Sequence, residues 1–172
     1  MNSKIAKSFM AIDFETADYG RDSACAVGMV RVENSAIVDR TFYHIRPPRR
    51  NFIFTSLHGI SWNDVVDAPT FRQLWPSLRK KFANVEFLAA HNAGFDRSVL
   101  NECCKKACLS VPSYSFQCTM LLARKVWNIY PTTLPNVCKY LDISLNHHEA
   151  GSDAEACAKI ILEAAKNQPN FY

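Results

Sequence analysis

The chain lacks both a long apolar run and a recognisable secretion signal. Its longest uncharged apolar stretches, such as 87–90, are far shorter than the roughly 20 residues that a membrane helix needs. The first ten residues carry two lysines and no apolar core, which is unlike a secretory leader. We therefore expect a protein without membrane association, located in the cytoplasm.

Internal repeats, low-complexity tracts and Gly/Ser linkers are also missing. A length of 172 residues is enough for one domain that buries a sizeable core. We expect a single domain over 1–172, with its core at about 8–166.

The cysteines lack the paired C-x-x-C spacing of a zinc site. There are seven of them, an odd number, and the closest group is Cys103, Cys104 and Cys108. Without a secretion signal, this pattern favours free thiols in a reducing compartment, most of them packed as small apolar side chains.

Neither sign of charge dominates, since 20 basic and 16 acidic residues leave a net charge of +4. The basic residues are grouped, which is compatible with phosphate contacts but equally with a solvated face. The groups are Arg46 with Arg49 and Arg50, 79–81, 105–106 and 124–125.

The order of apolar segments predicts a mixed sheet covered by helices. Three successive strands, the third ended by Pro47-Pro48, indicate an antiparallel meander, and strands then alternate with helices. Predicted strands lie at 8–13, 24–33, 36–45, 85–90 and 115–118. Predicted helices begin at 61–64 and at 69–70 (to about 82), and span 95–107, 119–127, 134–141 and 152–166.

Two carboxylates lie near the end of the first strand. Asp13 and Glu15 are two residues apart, so on a strand they point to the same face. Burying two carboxylates beside Phe9, Ile12 and Phe14 is costly unless a cation neutralises them. Oxygen ligands favour hard ions, so we expect Mg²⁺ or Mn²⁺ here.

Two further acidic motifs follow, and each has a simpler explanation when taken alone. In 91–96 (His-Asn-Ala-Gly-Phe-Asp), Asn92 could cap a helix whose first turn carries Asp96. In 148–153, His148 stands in a loop and Asp153 opens the last helix, where an acid is common.

Together the three motifs supply what two-metal hydrolysis of a phosphodiester requires. Two ions offset the charge of the phosphate and lower the pKa of a bound water. A histidine titrates near neutral pH and can therefore take the proton.

In these motifs the sequence resembles the DEDDh 3′→5′ exonucleases, the DnaQ-like group that includes proofreading subunits and exonuclease X. The match covers Asp13-Phe-Glu15-Thr16, the 91–96 motif, His148-x4-Asp153 and the linking segment 56–60. The resemblance implies a ribonuclease H-like α/β fold with a five-stranded mixed sheet.

The resemblance also implies roles for these residues. Asp13 would bridge two ions, Glu15 and Asp153 would complete the nucleophile-side site, and Asp96 would support the second ion. His148 would be the general base, with His147 a competitor set aside on spacing. Glu149 stands where the tyrosine subtype of the group has its tyrosine, which favours the histidine subtype.

Substrate contacts are implied as well. Thr16 and the backbone of Ala17 would lie beside the terminal 3′-hydroxyl, and Asn92 would place the strand or its own loop. Leu57 and Ile60 would pack on the terminal base, although ordinary core packing explains them equally well.

These features predict a 3′→5′ exonuclease that releases nucleoside 5′-monophosphates from single-stranded or frayed DNA. An exoribonuclease on the same scaffold and a catalytically silent nucleic-acid-binding module remain as alternatives. Cys118 replaces an aspartate usual in the group, but it is not one of the four metal acids. No polymerase-binding extension is evident after Lys166, so a free-standing nuclease is the simpler expectation and association with a polymerase stays open.

Overall fold

A computed structural model describes residues 8–167, and the termini outside this range are part of the expected domain that it does not test. Five strands form one sheet in the order β3-β2-β1-β4-β5. They are β1 (Ser8–Thr16), β2 (Ala24–Glu33), β3 (Ala36–His44), β4 (Phe87–Ala90) and β5 (Phe116–Cys118). The β1–β2 and β2–β3 pairs are antiparallel, whereas β1–β4 and β4–β5 are parallel. The predicted meander and mixed sheet are confirmed.

Seven helices lie within the described residues. They are α1 (Thr55–His58), α2 (Trp62–Val65), α3 (Phe71–Phe82), α4 (Gly94–Lys106), α5 (Thr119–Trp127), α6 (Leu134–Tyr140) and α7 (Ala150–Asn167). None of them is long and apolar enough to cross a bilayer.

The helix-start signals work as the sequence predicts. Ser61 and Asp64 form a reciprocal capping box at α2, and Thr70 and Gln73 form another at α3. Three boundaries differ by two residues or more: β1 continues to Thr16, β4 begins two residues later, and α7 begins two residues earlier. The short helix α1 was not predicted, since four residues carry too little periodicity to detect.

The two faces of β1 belong to two different cores. Phe9 and Ala11 pack with α5, α6 and α7, whereas Met10, Ile12 and Phe14 pack with α3 and α4. Because side chains alternate along a strand, the next odd residues continue the face that α7 covers.

The carboxyl ends of the parallel strands β1 and β4 meet at one edge of the sheet. The 91–96 motif follows β4 directly, so it lies beside the end of β1. This edge is where the predicted motifs converge.

Candidate active site

Asp13 and Glu15 lie on the face of β1 that α7 covers. Both are half-buried, at the point where the strand leaves the core and reaches the sheet edge. The alternation of the strand therefore brings both carboxylates to one side, as predicted.

The first turn of α7 adds the third carboxylate, Asp153. α7 can come this close because β2 has a glycine beneath it. A Cβ on Gly28 would lie 2.0 Å from the carbonyl oxygen of Ala150 and 2.6 Å from the nitrogen of Gly151. Gly28 also pairs with Asp13 across the sheet, so the helix terminus is packed directly beside that acid.

Asp13, Glu15 and Asp153 each offer an oxygen, and these three atoms lie within 4.8 Å of one another. The Asp153 Oδ1 atom is buried and has no hydrogen-bond partner. A buried acceptor without a donor is costly, and a hard cation is the partner that three converging carboxylates would bind best. The residues present therefore fit a divalent metal ion.

The electrostatics of the site support the same conclusion. Burial, followed by the charges of Asp96 and Asp153, raises the pKa of Asp13 well above its usual value. Burial and the same neighbours raise the pKa of Glu15 to about 8. Without a cation, burial and the neighbouring negative charges therefore favour the protonated form of these two carboxyl groups.

Asp96 lies beside this trio but is not one of its members. It is 1% exposed, and its Oδ1 accepts a 2.9 Å hydrogen bond from the backbone nitrogen of Phe14. Burial raises the pKa of Asp96 to about 7, against the opposing effect of that hydrogen bond. The acid therefore stabilises the end of β1 as well as adding charge next to Asp13.

Both His147 and His148 contact Asp153. The side-chain contact comes from His147, whereas the motif spacing favours His148. His147 Nδ1 lies 2.9 Å from Asp153 Oδ2, whereas His148 donates only its backbone N–H, at 3.2 Å. The two rings stack at 3.8 Å. Burial and the charge of His147 lower the pKa of His148, so its ring is neutral at pH 7. Sequence reasoning underrated His147, whose contact depends on the turn that precedes α7.

His58 links the end of β1 to α1. Its Nδ1 accepts from the Ile60 N–H at 3.0 Å, so the proton is on Nε2, which donates to the Thr16 carbonyl oxygen at 3.2 Å. Burial lowers its pKa and keeps it neutral. These two bonds hold α1 and the residues that follow it against the end of β1.

Thr16 and Ala17 are buried, and their backbone groups form hydrogen bonds within the protein. The Ala17 N–H donates to Ser23 at 2.9 Å, and its carbonyl oxygen accepts from Ile53 at 2.7 Å. These bonds hold the segment expected to meet the 3′-hydroxyl in a defined conformation.

Leu57 and Ile60 have different environments. Leu57 is 51% exposed, which excludes core packing for this residue, whereas Ile60 is half-buried against Ala17, Cys25 and Val65. Both line a cavity of about 450 Å³ that His147 and His148 also line. Asn92 is exposed, has a positive φ of 60°, and does not cap α4, whose N-cap is Ala93.

The basic groups are mostly engaged within the protein. Arg49 pairs with two aspartates, Arg46 donates to the Val66 carbonyl oxygen, and the Arg50 guanidinium lies over Trp62. Arg49 is therefore engaged by two acidic partners that could not be read from local sequence.

Gly28 is the site residue that sequence reasoning missed altogether. A glycine inside the otherwise apolar strand 24–33 was the available signal, because such a glycine often marks a close backbone approach. The cysteines are as expected: all seven are free, and five of them are buried.

The sequence of the chain matches a known protein family over most of its length. The RNase T family model, described as Exonuclease, matches residues 10–161. The chain belongs to this exonuclease family. The match contains all three acidic motifs, and it confirms the DnaQ-like resemblance.

Curated members of the exonuclease family include proteins of very different length. The chain is 32% identical over 161 residues to the PolC-type DNA polymerase III of Caldanaerobacter subterraneus, covering 90% of this chain and 11% of that protein. It is 29% identical over 161 residues to exodeoxyribonuclease 10 of Escherichia coli K12, covering 88% of this chain and 66% of that protein. The chain thus spans about a tenth of the length of its PolC-type relatives.

Solved structures of exonucleases share the fold. Exonuclease X in complex with 5′-overhanging duplex DNA aligns with a TM-score of 0.77 and 24% identity, over 93% of this chain and 92% of that one. The nuclease domain of 3′hExo, a DEDDh family member bound to rAMP, aligns with a TM-score of 0.82 and 18% identity, over 98% and 96%. The expected ribonuclease H-like fold is confirmed.

Proposed function

We propose that this chain is a metal-dependent 3′→5′ exonuclease that removes nucleoside 5′-monophosphates from the 3′ end of single-stranded or frayed DNA. The observation that carries the proposal is the convergence of Asp13, Glu15 and Asp153, with the buried Asp153 Oδ1 lacking a partner. Membership of the exonuclease family supports the reaction class.

Asp13, Glu15 and Asp153 would hold one divalent ion, and Asp13 with Asp96 would hold the second. Mg²⁺ and Mn²⁺ both suit this all-oxygen donor set. When bound, the two ions supply charge stabilisation for the phosphate and its leaving oxygen.

His148 would act as the general base. A water attacks the last phosphorus, its proton passes to the His148 ring, and the bond to the 3′-oxygen of the penultimate nucleotide breaks. A ring that is neutral at pH 7 can accept this proton. His147 would keep the Asp153 carboxylate oriented through its 2.9 Å contact.

The terminal nucleotide would lie between the end of β1 and α1. Thr16 and the Ala17 backbone would flank its 3′-hydroxyl, Leu57 and Ile60 would pack on its base, and Asn92 would guide the strand. Half-exposed Leu57 at the mouth of the cavity supports a role as an apolar contact for a base.

The test uses a 3′-labelled linear oligonucleotide and a circular single strand of the same sequence, each with Mg²⁺ or Mn²⁺. We expect mononucleotide release from the linear strand and no cleavage of the circle. Asp13→Ala should abolish turnover. Equal cleavage of both strands would overturn the exonuclease assignment, and unchanged turnover in Asp13→Ala would favour a binding module.

An exoribonuclease is the second candidate, supported by the likeness to the rAMP-bound nuclease domain. Rates on matched DNA and RNA strands distinguish the two, because the pocket must accept or reject the 2′-hydroxyl. Faster cleavage of RNA would make this candidate the function.

Association with a polymerase is a further proposal, supported by the names of the PolC-type relatives alone. Co-purification with the replicative polymerase of the source organism would test it, and free migration of both proteins would reject it.

A further inference from the structure

Arg49 lies between β3 and α1 and binds two carboxylates at once. Its Nε and Nη2 atoms lie 2.6 and 2.7 Å from the two oxygens of Asp18. Its Nη1 and Nη2 atoms lie 3.0 and 2.8 Å from the two oxygens of Asp22. Paired bonds of this kind fix the guanidinium plane as well as its position.

The turn that carries these aspartates is shaped around Arg49. The Asp18 side chain is 5% exposed, and it also accepts from the Gly20 N–H at 2.7 Å. A Cβ on Gly20 would lie 1.9 Å from Arg49 Nη2, so a side chain at position 20 would displace the guanidinium. Ser23 closes the turn by donating to the Gly20 carbonyl oxygen at 2.7 Å.

Without Arg49, Asp18 would be a buried carboxylate with no cation. Arg49 lowers the pKa of Asp18, so the carboxyl stays ionised and the pair stays charged. Removing the cation that faces a buried carboxylate is more costly than losing a partner of an exposed one. The turn is therefore expected to rearrange when the arginine is removed.

The same turn joins the acidic strand to the substrate side of the cavity. Ala17 accepts from Ile53 at 2.7 Å, and Thr16 accepts from His58 at 3.2 Å. These neutral bonds and the Arg49 pair are successive links between the end of β1 and the segment 49–58. Leu57 lies within that segment, and Ile60 follows two residues after its end.

We infer that Arg49 is a positioning residue, which holds the segment bearing Leu57 and Ile60 against the end of β1 and thereby sets the width of the terminal-nucleotide pocket. This inference rests on the proposed function, because it concerns the pocket of that site. It assigns Arg49 an indirect role through Asp18 and Asp22, in place of a direct contact with phosphate.

A positioning role and a direct contact with the strand predict different effects of replacing Asp18. If Arg49 positions the pocket, Arg49→Ala and Asp18→Asn should impair it alike, because each breaks the same pair. If Arg49 contacts the strand, Asp18→Asn should leave the cation held by Asp22 alone and strengthen binding. The salt dependence differs too, because losing one phosphate contact lowers the slope of log K against log salt by about 0.7 for a single strand.

The experiment measures competitive inhibition by dAMP with Mn²⁺, since a mononucleotide probes the terminal pocket without the rest of the strand. We expect Ki to rise about tenfold in both variants, the change that corresponds to a loss of about 1.4 kcal/mol of binding free energy. The Mn²⁺ affinity and the salt slope of oligonucleotide binding should match wild type. Tighter strand binding by Asp18→Asn, or a smaller salt slope in Arg49→Ala, would overturn the inference.

Arg31→Ala is the matched control. Arg31 pairs with Glu33 at 2.6 Å and donates to the carbonyl oxygens of Lys81 and Ala83, towards the other end of the sheet. Its loss should lower the melting temperature and leave the Ki for dAMP unchanged. A rise in Ki equal to that of Arg49→Ala would mean that general destabilisation explains both, and would overturn the inference.

Asp22→Asn is the milder variant should Arg49→Ala fail to fold. It removes one carboxylate and keeps the Asp18 pair, so we expect a smaller rise in Ki, and an unchanged Ki would contradict the positioning role. A wild-type chain that neither degrades DNA nor binds dAMP would refute the proposed function itself. Wild-type activity with unchanged Ki in every variant would refute only the role of Arg49.

Discussion

The two carboxylate oxygens of Asp153 have opposite surroundings. Oδ2 meets the His147 ring at 2.9 Å and the His148 backbone N–H at 3.2 Å, whereas Oδ1 is buried without a partner. One oxygen is thus held in place by the loop, and the other has no protein donor to compete with an ion. This asymmetry is what a carboxylate needs in order to present one ligand atom to an ion.

Replacing His148 by alanine should slow catalysis about 10²–10⁴-fold, the usual effect of losing a general base. Its side chain makes no hydrogen bond to Asp153, so metal affinity should be mostly kept. Single-turnover rates and Mn²⁺ titration calorimetry measure the two effects separately.

His147→Ala is the matched comparison, because it removes the ring that contacts Asp153. It should weaken Mn²⁺ binding more than His148→Ala does. If His148→Ala instead lost metal affinity as completely as Asp13→Ala, the assignment of His148 as the base would be wrong.

The acidic cluster should make the metal-free protein less stable as the pH rises. The pKa of Glu15 is about 8 in the folded chain against an ordinary 4.5. Between these values the folded state keeps a proton that the unfolded state has lost, so unfolding becomes easier as the pH rises. In EDTA, the melting temperature of Glu15→Gln minus that of wild type should therefore grow from pH 5 to pH 8.

The same reasoning predicts that Mg²⁺ raises the melting temperature of wild type more at pH 8 than at pH 5, because bound ions favour ionised carboxylates. Thermal unfolding followed by circular dichroism measures both effects. A wild-type to Glu15→Gln difference that stays constant across this range would contradict the raised pKa.

At the scale of elements, the site depends on how closely α7 approaches β2. Gly28 lies on β2 opposite Asp13, and the backbone at Ala150 and Gly151 occupies the space where a side chain would be. Elements meet at this distance only where one of them has no Cβ, so the helix position and the carboxylate geometry are linked.

Gly28→Ala should displace the start of α7 and weaken metal binding, because a Cβ 2.0 Å from a backbone oxygen cannot be accommodated. We expect a lower melting temperature and at least a tenfold loss of Mn²⁺ affinity, about 1.4 kcal/mol. Mn²⁺ titration of the folded variant gives the affinity.

Gly94→Ala is the control, since nothing lies within 4 Å of a Cβ added there. It should keep both the stability and the Mn²⁺ affinity near wild type. Unchanged metal affinity in Gly28→Ala would show that α7 can shift without moving Asp153.

For the whole molecule, charge should affect binding more than stability. The net charge of +4 favours a polyanion, and counterion release makes such binding fall steeply with salt. With Ca²⁺ replacing the catalytic ion, affinity for a single-stranded oligonucleotide should drop by at least tenfold between 50 and 200 mM salt, measured by fluorescence anisotropy. Salt-independent affinity would contradict a binding mode based on phosphate contacts.

Much of the fold could be predicted because its signals are local. The capping residues Ser61 and Thr70 act within one helical turn, and alternation over β1 places Asp13 and Glu15 on one face within three residues. The motifs ending in Asp96 and Asp153 were recognisable from their order and spacing. Boundaries were less certain, as at β4 and α7, because tertiary pairing decides where an element ends.

The sequence by itself therefore determined the mixed sheet, the family and the acids of the site, since each depends on residue type over a few positions or on motif order. Only the tertiary structure decided that Arg49 binds Asp18 and Asp22, that His147 contacts Asp153, and that Gly28 admits α7. The partners of these residues come from separate segments or from a turn whose conformation is not local. Ion pairing and close packing depend on distances of a few ångströms, which exist only once the chain has folded.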